Sequence, residues 1–194
     1  MFEHRIDSDL QLRMLQDRDA EELFRVVDAN RTHLREWLPW LDSNTEVEHS
    51  RQFICSTLQQ HARNEGFTCA ILYGGHIVGV VGYHPIRWGN KSVELGYWLS
   101  QDAVGRGIMT RCCRVLVDYA FQELGLNRAA IPAATGNRRS RAIPERLGFK
   151  QEGVIRDAEW LYDHFVDHVI YAMLKREWNG EQPAAGYGSQ ARRT

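Results

Sequence analysis

An anion-binding turn is indicated by the residue types in the segment GYWLSQDAVGRGIMT. A strand-like run ends at Ser100, and Gly105-Arg106-Gly107 leads into an amphipathic helical pattern that Gly125 closes. Two glycines around one residue let main-chain N–H groups approach an anion closely, and the helix that follows adds four unpaired N–H groups and a positive dipole end. We expect this turn to cradle a pyrophosphate, with Arg106 adding charge. For Gly-x-Gly alone a plain strand-to-helix turn is the simpler interpretation, since neither a Walker A loop nor a Rossmann fingerprint is present.

Two polar residues begin a second, shorter helical pattern, in the segment TGNRRSRAIPERLGF. Asn137 is suited to cap this helix, and Ser140 lies one turn into it. Each side chain, taken alone, is better explained as a cap than as a ligand-binding group. Gly148 is expected to close the helix, and Phe149 to return the chain to a sheet.

The four cysteines and eight histidines do not have the spacing of a metal site. Cys112 and Cys113 are adjacent within the long helical pattern, where packing is the default explanation and a disulfide between them is poorly placed. His164 and His168 are four residues apart, but in a predicted hairpin and strand rather than on one face of a helix. We therefore expect free thiols, no catalytic cysteine and no metal.

Two helical segments are predicted before residue 65. The first covers residues 17–40, breaks near Asn30 and ends at Pro39. The second begins at Thr45, because Thr45-x-x-Glu48 has the pattern of a capping box, and it runs to about Asn64.

Strand-like segments dominate the rest of the chain. Gly74-Gly75 favours a hairpin between two of them, because both residues tolerate positive φ. Pro132 lies inside another and cannot donate a ladder hydrogen bond, which indicates splayed or edge pairing. The order of elements predicts an α/β (α+β) fold, a mixed sheet with helices on both faces, in which ligands bind where neighbouring strands diverge. The seven segments are residues 10–15, 67–73, 76–86, 91–100, 127–134, 149–156 and 165–175.

Composition is that of an ordinary globular protein. The 194 residues include 24 basic and 25 acidic side chains, a formal charge of -1, so the basic excess typical of nucleic-acid binders is missing and we expect no nucleic-acid partner. The sequence has no apolar signal core and no stretch of membrane-spanning length, so we expect a cytoplasmic protein without a membrane partner. We expect one domain over residues 1–177 and a flexible C-terminal tail over residues 178–194.

Together, the two polar segments resemble the GNAT superfamily of N-acetyltransferases, and within it the RimJ/RimL-like branch, the ribosomal-protein N-terminal acetyltransferases. The resemblance extends to the 94–99 strand, to Arg13 and to the Trp37-Leu38-Pro39-Trp40 cluster, and covers roughly residues 8–177. It implies the GNAT fold, with a mixed, mostly antiparallel seven-stranded sheet and helices on both faces. The matching motifs are Gly105-Arg106-Gly107-Ile108-Met109-Thr110, then Asn137-x-x-Ser140-Arg141-Ala142-Ile143-Pro144-Glu145-Arg146-Leu147-Gly148-Phe149, and Glu152-Gly153.

Two positions depart from the superfamily pattern. One is Met109, where a small residue is usual although Met is familiar in this branch; the other is Val104. Val104 stands where Gln or Arg is usual, which removes one phosphate contact but leaves the main-chain donors. We expect the binding mode to survive with a lower affinity.

The resemblance also implies acetyl-CoA as cosubstrate and a role for each matching residue. Glu159, expected in a loop between the last two strands, is the candidate general base, acting through a water; an ordinary solvated loop carboxylate is the alternative. Ser140 is the candidate acid toward the CoA sulfur, or a group that only orients the thiolate. Glu94 is a second catalytic candidate, which could equally pair with a basic neighbour. Main-chain N–H groups around Trp98 and Leu99 are implied to hold the acetyl carbonyl and the pantetheine arm of the cofactor. The residues implied in cofactor binding are Trp98, Leu99, Gly105, Arg106, Gly107, Ile108, Met109, Thr110, Asn137 and Ser140.

Two further groups have open roles. His164 lies near Glu159 in the sequence and could tune that carboxylate. Trp37 and Trp40 either line the acceptor site or pack the first helix on the sheet, and packing is the favoured interpretation.

Acetyl transfer from a thioester needs a neutral amine, a stabilised oxyanion and a proton for the thiolate, but no enzyme nucleophile. An α-amino group, with a pKa of ~7.7–8.0, is neutral at pH 7 far more often than a lysine with a pKa of ~10.4. N-terminal substrates therefore ask less of the base than lysine substrates do, and the resemblance implies the N-terminus of a ribosomal or other protein as the acceptor. A small amine such as a polyamine or aminoglycoside, and a CoA-binding module without catalysis, are the alternatives. A homodimer is also expected, because dimers are common among relatives.

Overall fold

Residues 2–179 are described by the computed structural model, and they build one mixed sheet with helices on both faces. The strands lie in the order β1-β2-β3-β4-β5-β6-β8-β7, and every neighbouring pair is antiparallel except β5 and β6. In chain order the elements are β1 (Glu3–Arg5), β2 (Leu10–Met14), α1 (Ala20–Ala29), α2 (Arg31–Arg35), α3 (Val47–Ala62), β3 (Thr68–Tyr73), β4 (His76–Tyr83), β5 (Ser92–Leu99), α4 (Ile108–Gln122), β6 (Arg128–Ala134), α5 (Arg138–Arg146), β7 (Lys150–Leu161) and β8 (His164–Leu174).

The predicted count of seven strands is wrong by one, because β1 is an eighth strand. Its three residues pair with β2 from Glu3↔Arg13 to Arg5↔Gln11. All three are exposed, so no alternation of apolar residues marks the strand in the sequence. The predicted break at Asn30 is confirmed, since Asn30 separates α1 from α2.

Two helix boundaries differ from the prediction. The N-cap of α3 is Glu46, and it makes no side-chain capping bond, so the capping box predicted at Thr45 is wrong. Helix α2 ends at Arg35, four residues before the predicted stop at Pro39.

The sheet is covered on both faces, as predicted. In β3, Cys69 and Ile71 point to one side and belong to the core beneath α4 and α5. Ala70 and Leu72 point to the other side and pack with residues of α1 and α3. Because side chains alternate between two covered faces, β3 and β4 are apolar along their whole length rather than at every second residue.

The strands β5 and β6 diverge in the middle of the sheet. Their parallel pairing covers only Ser92↔Arg128 to Glu94↔Ala130, although β5 continues to Leu99 and β6 to Ala134. Beyond that point β6 pairs only with β8. A wedge-shaped opening therefore lies between the last residues of β5 and β6.

Pro132 fits this opening without loss of a hydrogen bond. The N–H of Arg128 donates to Lys91 O on the β5 side, whereas the N–H of Thr135 donates to Asp167 O on the β8 side. Main-chain groups alternate along a strand, so the nitrogen of Pro132 faces β5, where the ladder has already ended. The splayed pairing predicted from Pro132 is confirmed.

The chain after β8 returns to the core. The indole N–H of Trp178 donates to Asp118 Oδ1 at 2.6 Å, and its ring lies edge-on to Phe121 and Phe149. Trp178 opens the segment predicted as a flexible tail, and most of that segment, residues 180–194, lies outside the described residues. No helix in the described part of the chain has the length and apolar content needed to cross a bilayer.

The Arg13–Asp19 ion pair joins β2 to the start of α1, and it carries a test of stability. The guanidinium of Arg13 donates to both carboxylate oxygens of Asp19, at 2.8 and 3.0 Å, and the N–H of Gln16 donates to the same carboxylate at 2.7 Å. The Asp19 side chain is 5% exposed. Asp19→Ala removes the buried carboxylate from the partly buried guanidinium of Arg13, and we expect it to lower the free energy of unfolding by about 2–4 kcal/mol. Urea unfolding monitored by circular dichroism measures the change.

Asp17→Ala is the matched control, because Asp17 forms a similar pair with Arg51 at 2.7 Å but is 72% exposed. Solvent screens such a pair, so we expect a much smaller loss. Equal unfolding midpoints for the two variants would contradict the structural role assigned to Asp19.

Candidate active site

A single cleft runs through the opening between β5 and β6 and joins the two faces of the sheet. Tyr97 and Leu99 of β5 point toward the core under α4 and α5. Trp98, between them, points to the opposite face, where its ring lies 6.4 Å from that of Trp40. A ligand seated in the opening can therefore contact groups from both sides of the sheet.

The main chain of β5 also divides between two sides. The N–H of His84 donates to Glu94 O and the N–H of Ser100 donates to Val78 O, so the even-numbered residues of β5 direct their main-chain groups to β4. By the alternation of the ladder, the main-chain groups of Tyr97 and Leu99 face the opening, and those of Trp98 do not. Of the two residues predicted to hold the acetyl carbonyl through their N–H groups, only Leu99 directs its N–H there.

The predicted turn has the backbone that an anion site requires. Gly105 and Gly107 have φ of 84° and 69°, and nothing lies within 4 Å of a Cβ built on either. Glycine is thus needed for the left-handed conformation and not for space. Gly107 is the N-cap of α4, and within residues 2–179 the N–H groups from Gly105 to Thr110 have no main-chain or side-chain acceptor. Six donors therefore remain available to a ligand.

Asn30, at the break between α1 and α2, fixes the chain just before this turn. Its Oδ1 accepts a hydrogen bond from the N–H of Gln101 at 2.9 Å, while its Nδ2 donates to Val26 O at 2.8 Å. The side chains of Ile108 and Met109 are buried in the core, 1% and 6% exposed. These two residues can reach a ligand only through their N–H groups.

Five arginines line the cleft on the side of α4 and α5. Arg111 is paired with Asp7, and the guanidinium of Arg106 lies 5.8 Å from the ring centroid of Tyr73. A concentration of positive charge beside free N–H groups suits a ligand with several phosphates. Sequence reasoning gave a binding role only to Arg106 of this group, although Arg138 and Arg139 directly follow Asn137 and Arg146 ends the same helix. The five are Arg106, Arg111, Arg138, Arg139 and Arg146.

Asn137 and Ser140 lie at the start of α5, beside Tyr97. Asn137 Oδ1 accepts the N–H of Ser140 at 3.0 Å, which confirms its capping role. Ser140 Oγ donates to the hydroxyl of Tyr97 at 3.2 Å, and that hydroxyl donates to Ser140 O, also at 3.2 Å. Burial raises the pKa of Tyr97 well above its usual value, so the side chain stays a neutral phenol. Sequence reasoning missed Tyr97, because its contact with Ser140 joins residues 43 positions apart.

Glu159 lies on the other face of the sheet, and not in a loop as predicted. It belongs to β7 and pairs with Val166 of β8, just after a bulge that interrupts the ladder between Ile155 and Glu159. Its Oε2 lies 3.4 Å from Nε2 of His168. That nitrogen is buried and has no hydrogen-bond partner among the described residues, so the two groups are close but not aligned for a hydrogen bond.

The predicted neighbour of Glu159 was His164, and this was wrong. His164 Nδ1 lies 2.7 Å from Asp163 Oδ1, on the exposed tip of the β7–β8 hairpin. The histidine beside Glu159 is His168 instead. It pairs with Ile155 across the ladder, just before the bulge, and it faces the cleft. The bulge shifts the register, and the sequence carries no clear signal for it.

Glu94, the other carboxylate candidate, is not brought to the cleft. Its side chain pairs with Arg87 and is not among the residues that line the opening. The alternative interpretation, in which Glu94 pairs with a basic neighbour, describes its position.

Trp37 and Trp40 line the cleft and also pack against its walls. A Cβ on Gly136 would lie 3.3 Å from the ring of Trp37, so this ring covers the turn before α5. The hairpin tip reaches the same segment: the hydroxyl of Tyr162 donates to Leu38 O at 2.5 Å and accepts the N–H of Leu41 at 3.3 Å. This contact holds the β7–β8 hairpin against the residues after α2.

The cysteines near the cleft are not suited to catalysis. Cys112 and Cys113 are fully buried in α4, and burial raises the pKa of Cys112 to about 12. A thiol of this kind is not ionised near neutral pH. Within residues 2–179, no group of three or more His, Cys, Asp or Glu side chains could hold a metal ion.

Comparison with known proteins matches this chain to acetyltransferases. The family model described as acetyltransferase (GNAT) domain matches residues 9–150. The chain is 38% identical over 183 residues to YdaF of Bacillus subtilis, covering 94% of this chain and 100% of that protein. It is 26% identical over 170 residues to the ribosomal-protein-serine acetyltransferase of Escherichia coli, covering 88% of this chain and 95% of that enzyme.

A solved structure of an acetyltransferase has the same fold as this chain. RimL, the ribosomal L7/L12 alpha-N-protein acetyltransferase in complex with coenzyme A, matches with a TM-score of 0.84 at 26% identity, covering 88% of this chain and 96% of that one. Since the family model spans well over half of the chain, this protein belongs to the GNAT N-acetyltransferases, in the branch of the RimJ/RimL-like ribosomal-protein acetyltransferases.

Proposed function

We propose that this enzyme transfers the acetyl group of acetyl-CoA to the N-terminal α-amine of a protein, most simply a ribosomal protein, by direct attack of the amine on the thioester. The observation that carries the proposal is the separation of two polar pairs by the opening between β5 and β6. Glu159 and His168 lie on one face of the sheet, and Ser140 and Tyr97 lie toward the other. An acetyl group held in the opening would meet a base on one side and a proton donor on the other.

The cofactor half of the cleft is assigned to acetyl-CoA. The N–H groups from Gly105 to Thr110 would hold the diphosphate, with positive charge from Arg106 and the arginines of α5. The N–H of Leu99 would donate to the acetyl carbonyl and stabilise its developing negative charge. Asn137 would act mainly by fixing the start of α5, and Trp98 by its ring on the acceptor face. Coenzyme A in RimL supports this assignment.

On the acceptor face, Glu159 would accept a proton from the incoming ammonium, through a water, so that the neutral amine attacks the carbonyl carbon. A carbon–nitrogen bond then forms, the carbon–sulfur bond breaks, and the nitrogen loses its second proton to solvent as the amide forms. The departing thiolate would take a proton from Ser140, whose hydroxyl is hydrogen-bonded to the neutral phenol of Tyr97. Because a serine hydroxyl is a poor acid and the phenol keeps its proton, Ser140 would relay a proton from solvent to the sulfur and remain a neutral hydroxyl, while Tyr97 fixes its orientation.

The charge of the acceptor face favours an α-amine over a polycation. Among residues 2–179, two carboxylates, Glu36 and Glu159, line the cleft, together with four histidines, His33, His49, His84 and His168. A site for a polyamine or aminoglycoside would be expected to be strongly acidic. An enzyme that acts on ribosomal proteins would work in the cytoplasm.

A second copy of the chain is the proposed partner of the β7–β8 hairpin. Val154, Ile155, Trp160 and Phe165 are each at least half exposed, and β7 is an outer strand of the sheet. Apolar side chains on an unpaired strand edge favour association with another chain. A dimer formed there would place a neighbouring subunit beside Glu159.

The acceptor class is tested by a panel of amines. We expect acetyl-CoA-dependent thiol release with peptides that begin with free Ser, Ala or Met, and much weaker release with spermidine, kanamycin or N-terminally blocked lysine peptides. Thermal shift with acetyl-CoA reports binding separately from turnover. A shift without thiol release on any amine would favour a non-catalytic binding module, and preferred turnover of a polyamine or aminoglycoside would favour the small-amine alternative.

The base is tested by the pH dependence of Glu159→Gln. An amide cannot accept a proton as a carboxylate can, so the loss of a general base should change both kcat/KM and its dependence on pH. We expect the variant to lose about 10²- to 10⁴-fold in kcat/KM and to retain only the limb that belongs to the amine. Glu94→Gln is the matched control and should keep the native profile, because Glu94 lies outside the cleft. A native profile in Glu159→Gln would show that another group is the base.

The dimer is tested by light scattering after size-exclusion chromatography. We expect a mass twice the 22.4 kDa of the chain, and a shift to the monomer in Ile155→Lys, since a charged side chain at this position is costly to bury. A monomeric native protein, or a dimer indifferent to this substitution, would contradict the assignment of the hairpin.

A further inference from the structure

His168 places a buried ring nitrogen beside the carboxylate of Glu159. Its Nε2 lies 3.4 Å from Glu159 Oε2 and has no hydrogen-bond partner within residues 2–179. A buried polar atom without a partner destabilises a fold, and such atoms are rare in native proteins. The nitrogen is therefore free to bind a proton that comes and goes during a reaction.

The position of this imidazole is fixed by two ladders. His168 of β8 stands opposite Ala134 of β6 on one side and opposite Ile155 of β7 on the other, and neither of these residues is charged. Glu159 stands opposite Val166, two residues along β8, so the side chains of Glu159 and His168 form a diagonal pair on one face of the sheet. In the described part of the chain, Glu159 is the carboxylate within ion-pair distance of this ring.

The bulge in β7 brings a glutamate to this diagonal position. Between two successive ladder pairs on this face, β7 takes four residues where β8 takes two. An unbroken ladder would put Asp157 opposite Val166. Instead the N–H of Asp157 donates to Asp167 Oδ1 at 2.9 Å, and Glu159 stands opposite Val166. Bulges next to active sites often redirect a side chain in this way.

The proposed reaction removes two protons from the acceptor nitrogen. The amine enters as an ammonium and loses one proton before it attacks the carbonyl carbon, and it loses the second as the amide forms. The sulfur takes up one proton from solvent, so each turnover releases one proton. A carboxylate holds a single proton, so Glu159 can serve both steps only if it is emptied between them.

An imidazole beside the carboxylate can empty it. Imidazole is a stronger base than carboxylate, so a proton on Oε2 of the glutamate would pass to Nε2 of the histidine. The products are a carboxylate and an imidazolium side by side, which attract each other. A distance of 3.4 Å is slightly longer than a good hydrogen bond, so a small rotation of either side chain is sufficient. The His168 side chain is 19% exposed, and it can return the proton to solvent.

We propose that His168 is a proton relay behind Glu159. It takes from the carboxylate the first proton of the ammonium, so that Glu159 can accept the second proton when the amide forms. The inference rests on the proposed function and deepens it, because it gives both protons a route from the acceptor nitrogen to solvent. His168 acts through Glu159 and is not itself the base that meets the amine.

The relay is tested by kcat of His168→Asn with a saturating peptide that begins with serine, measured at pH 7 and pH 9. Asparagine is polar but cannot take up a proton. At pH 7 we expect a loss of about ten- to a hundredfold, below the upper end of the 10²- to 10⁴-fold effect of a direct base. At pH 9 we expect a smaller loss, because an α-amine with a pKa of ~7.7–8.0 then enters neutral and gives up a single proton.

His164→Asn is the matched control. His164 lies at the start of the same strand, its side chain is 60% exposed, and it is not among the residues that line the cleft. We expect this variant to keep the native kcat at both pH values. Thermal shifts with acetyl-CoA should be the same for both variants and the native enzyme, which reports an intact fold and cofactor site.

A double-mutant cycle tests whether His168 acts through Glu159. We expect His168→Asn to have little further effect in the Glu159→Gln enzyme, because no carboxylate is left to be emptied.

The outcomes separate the relay from the proposed function. Native kcat in His168→Asn, equal losses at the two pH values, or a loss that adds fully to that of Glu159→Gln would overturn the relay while Glu159 remained the base. Native kcat in Glu159→Gln would overturn the base assignment on which the relay rests. Absence of turnover by the native enzyme with every N-terminal amine would overturn the proposed function itself.

Discussion

The divergence of β5 from β6 is the constraint on which the rest of the structure depends. The ladder stops at Glu94↔Ala130, so the main-chain groups of Tyr97 and Leu99 have lost the strand that would have paired with them. An unpaired polar group away from water costs about 1–3 kcal/mol, and such groups persist only where the surroundings hold them open. Here β4 holds one side of the wedge and β8 holds the other, each by an uninterrupted antiparallel ladder. The unsatisfied groups are therefore available to a ligand that brings its own carbonyl and amide groups.

The opening also explains why the polar residues are divided between two faces. Alternation along β5 sends Tyr97 toward α5 and Trp98 toward the segment after α2, so neighbouring residues serve different halves of the cleft. The same alternation separates Glu159 and His168 from Ser140. In the proposed reaction the base and the proton donor would therefore approach the acetyl group from opposite sides of the sheet.

Local rules were sufficient for the features that depend on a few consecutive residues. The glycine turn, the cap at Asn137 and the splay at Pro132 each follow from the conformational limits of one residue type, and all three are found. Tyr97 and His168 could not be placed in this way, because their partners are fixed by the pairing of strands distant in the chain. Glu159 was assigned to a loop because the bulge after Ile155 breaks the alternation that marks a strand. β1 was missed because an exposed strand of three residues has no apolar pattern to read.

The contact of the hairpin tip with the residues after α2 bears on how an acceptor enters. Tyr162 bonds to the main chain at Leu38 and Leu41, and the guanidinium of Arg35 lies 3.7 Å from the centre of its ring. Arg35 is itself fixed by two hydrogen bonds of 2.8 Å to Asp42. The acceptor face is thus bridged on the side of the hairpin, beside Glu159. An acceptor chain that continues beyond the reacting amine must therefore leave the cleft on the side away from this bridge.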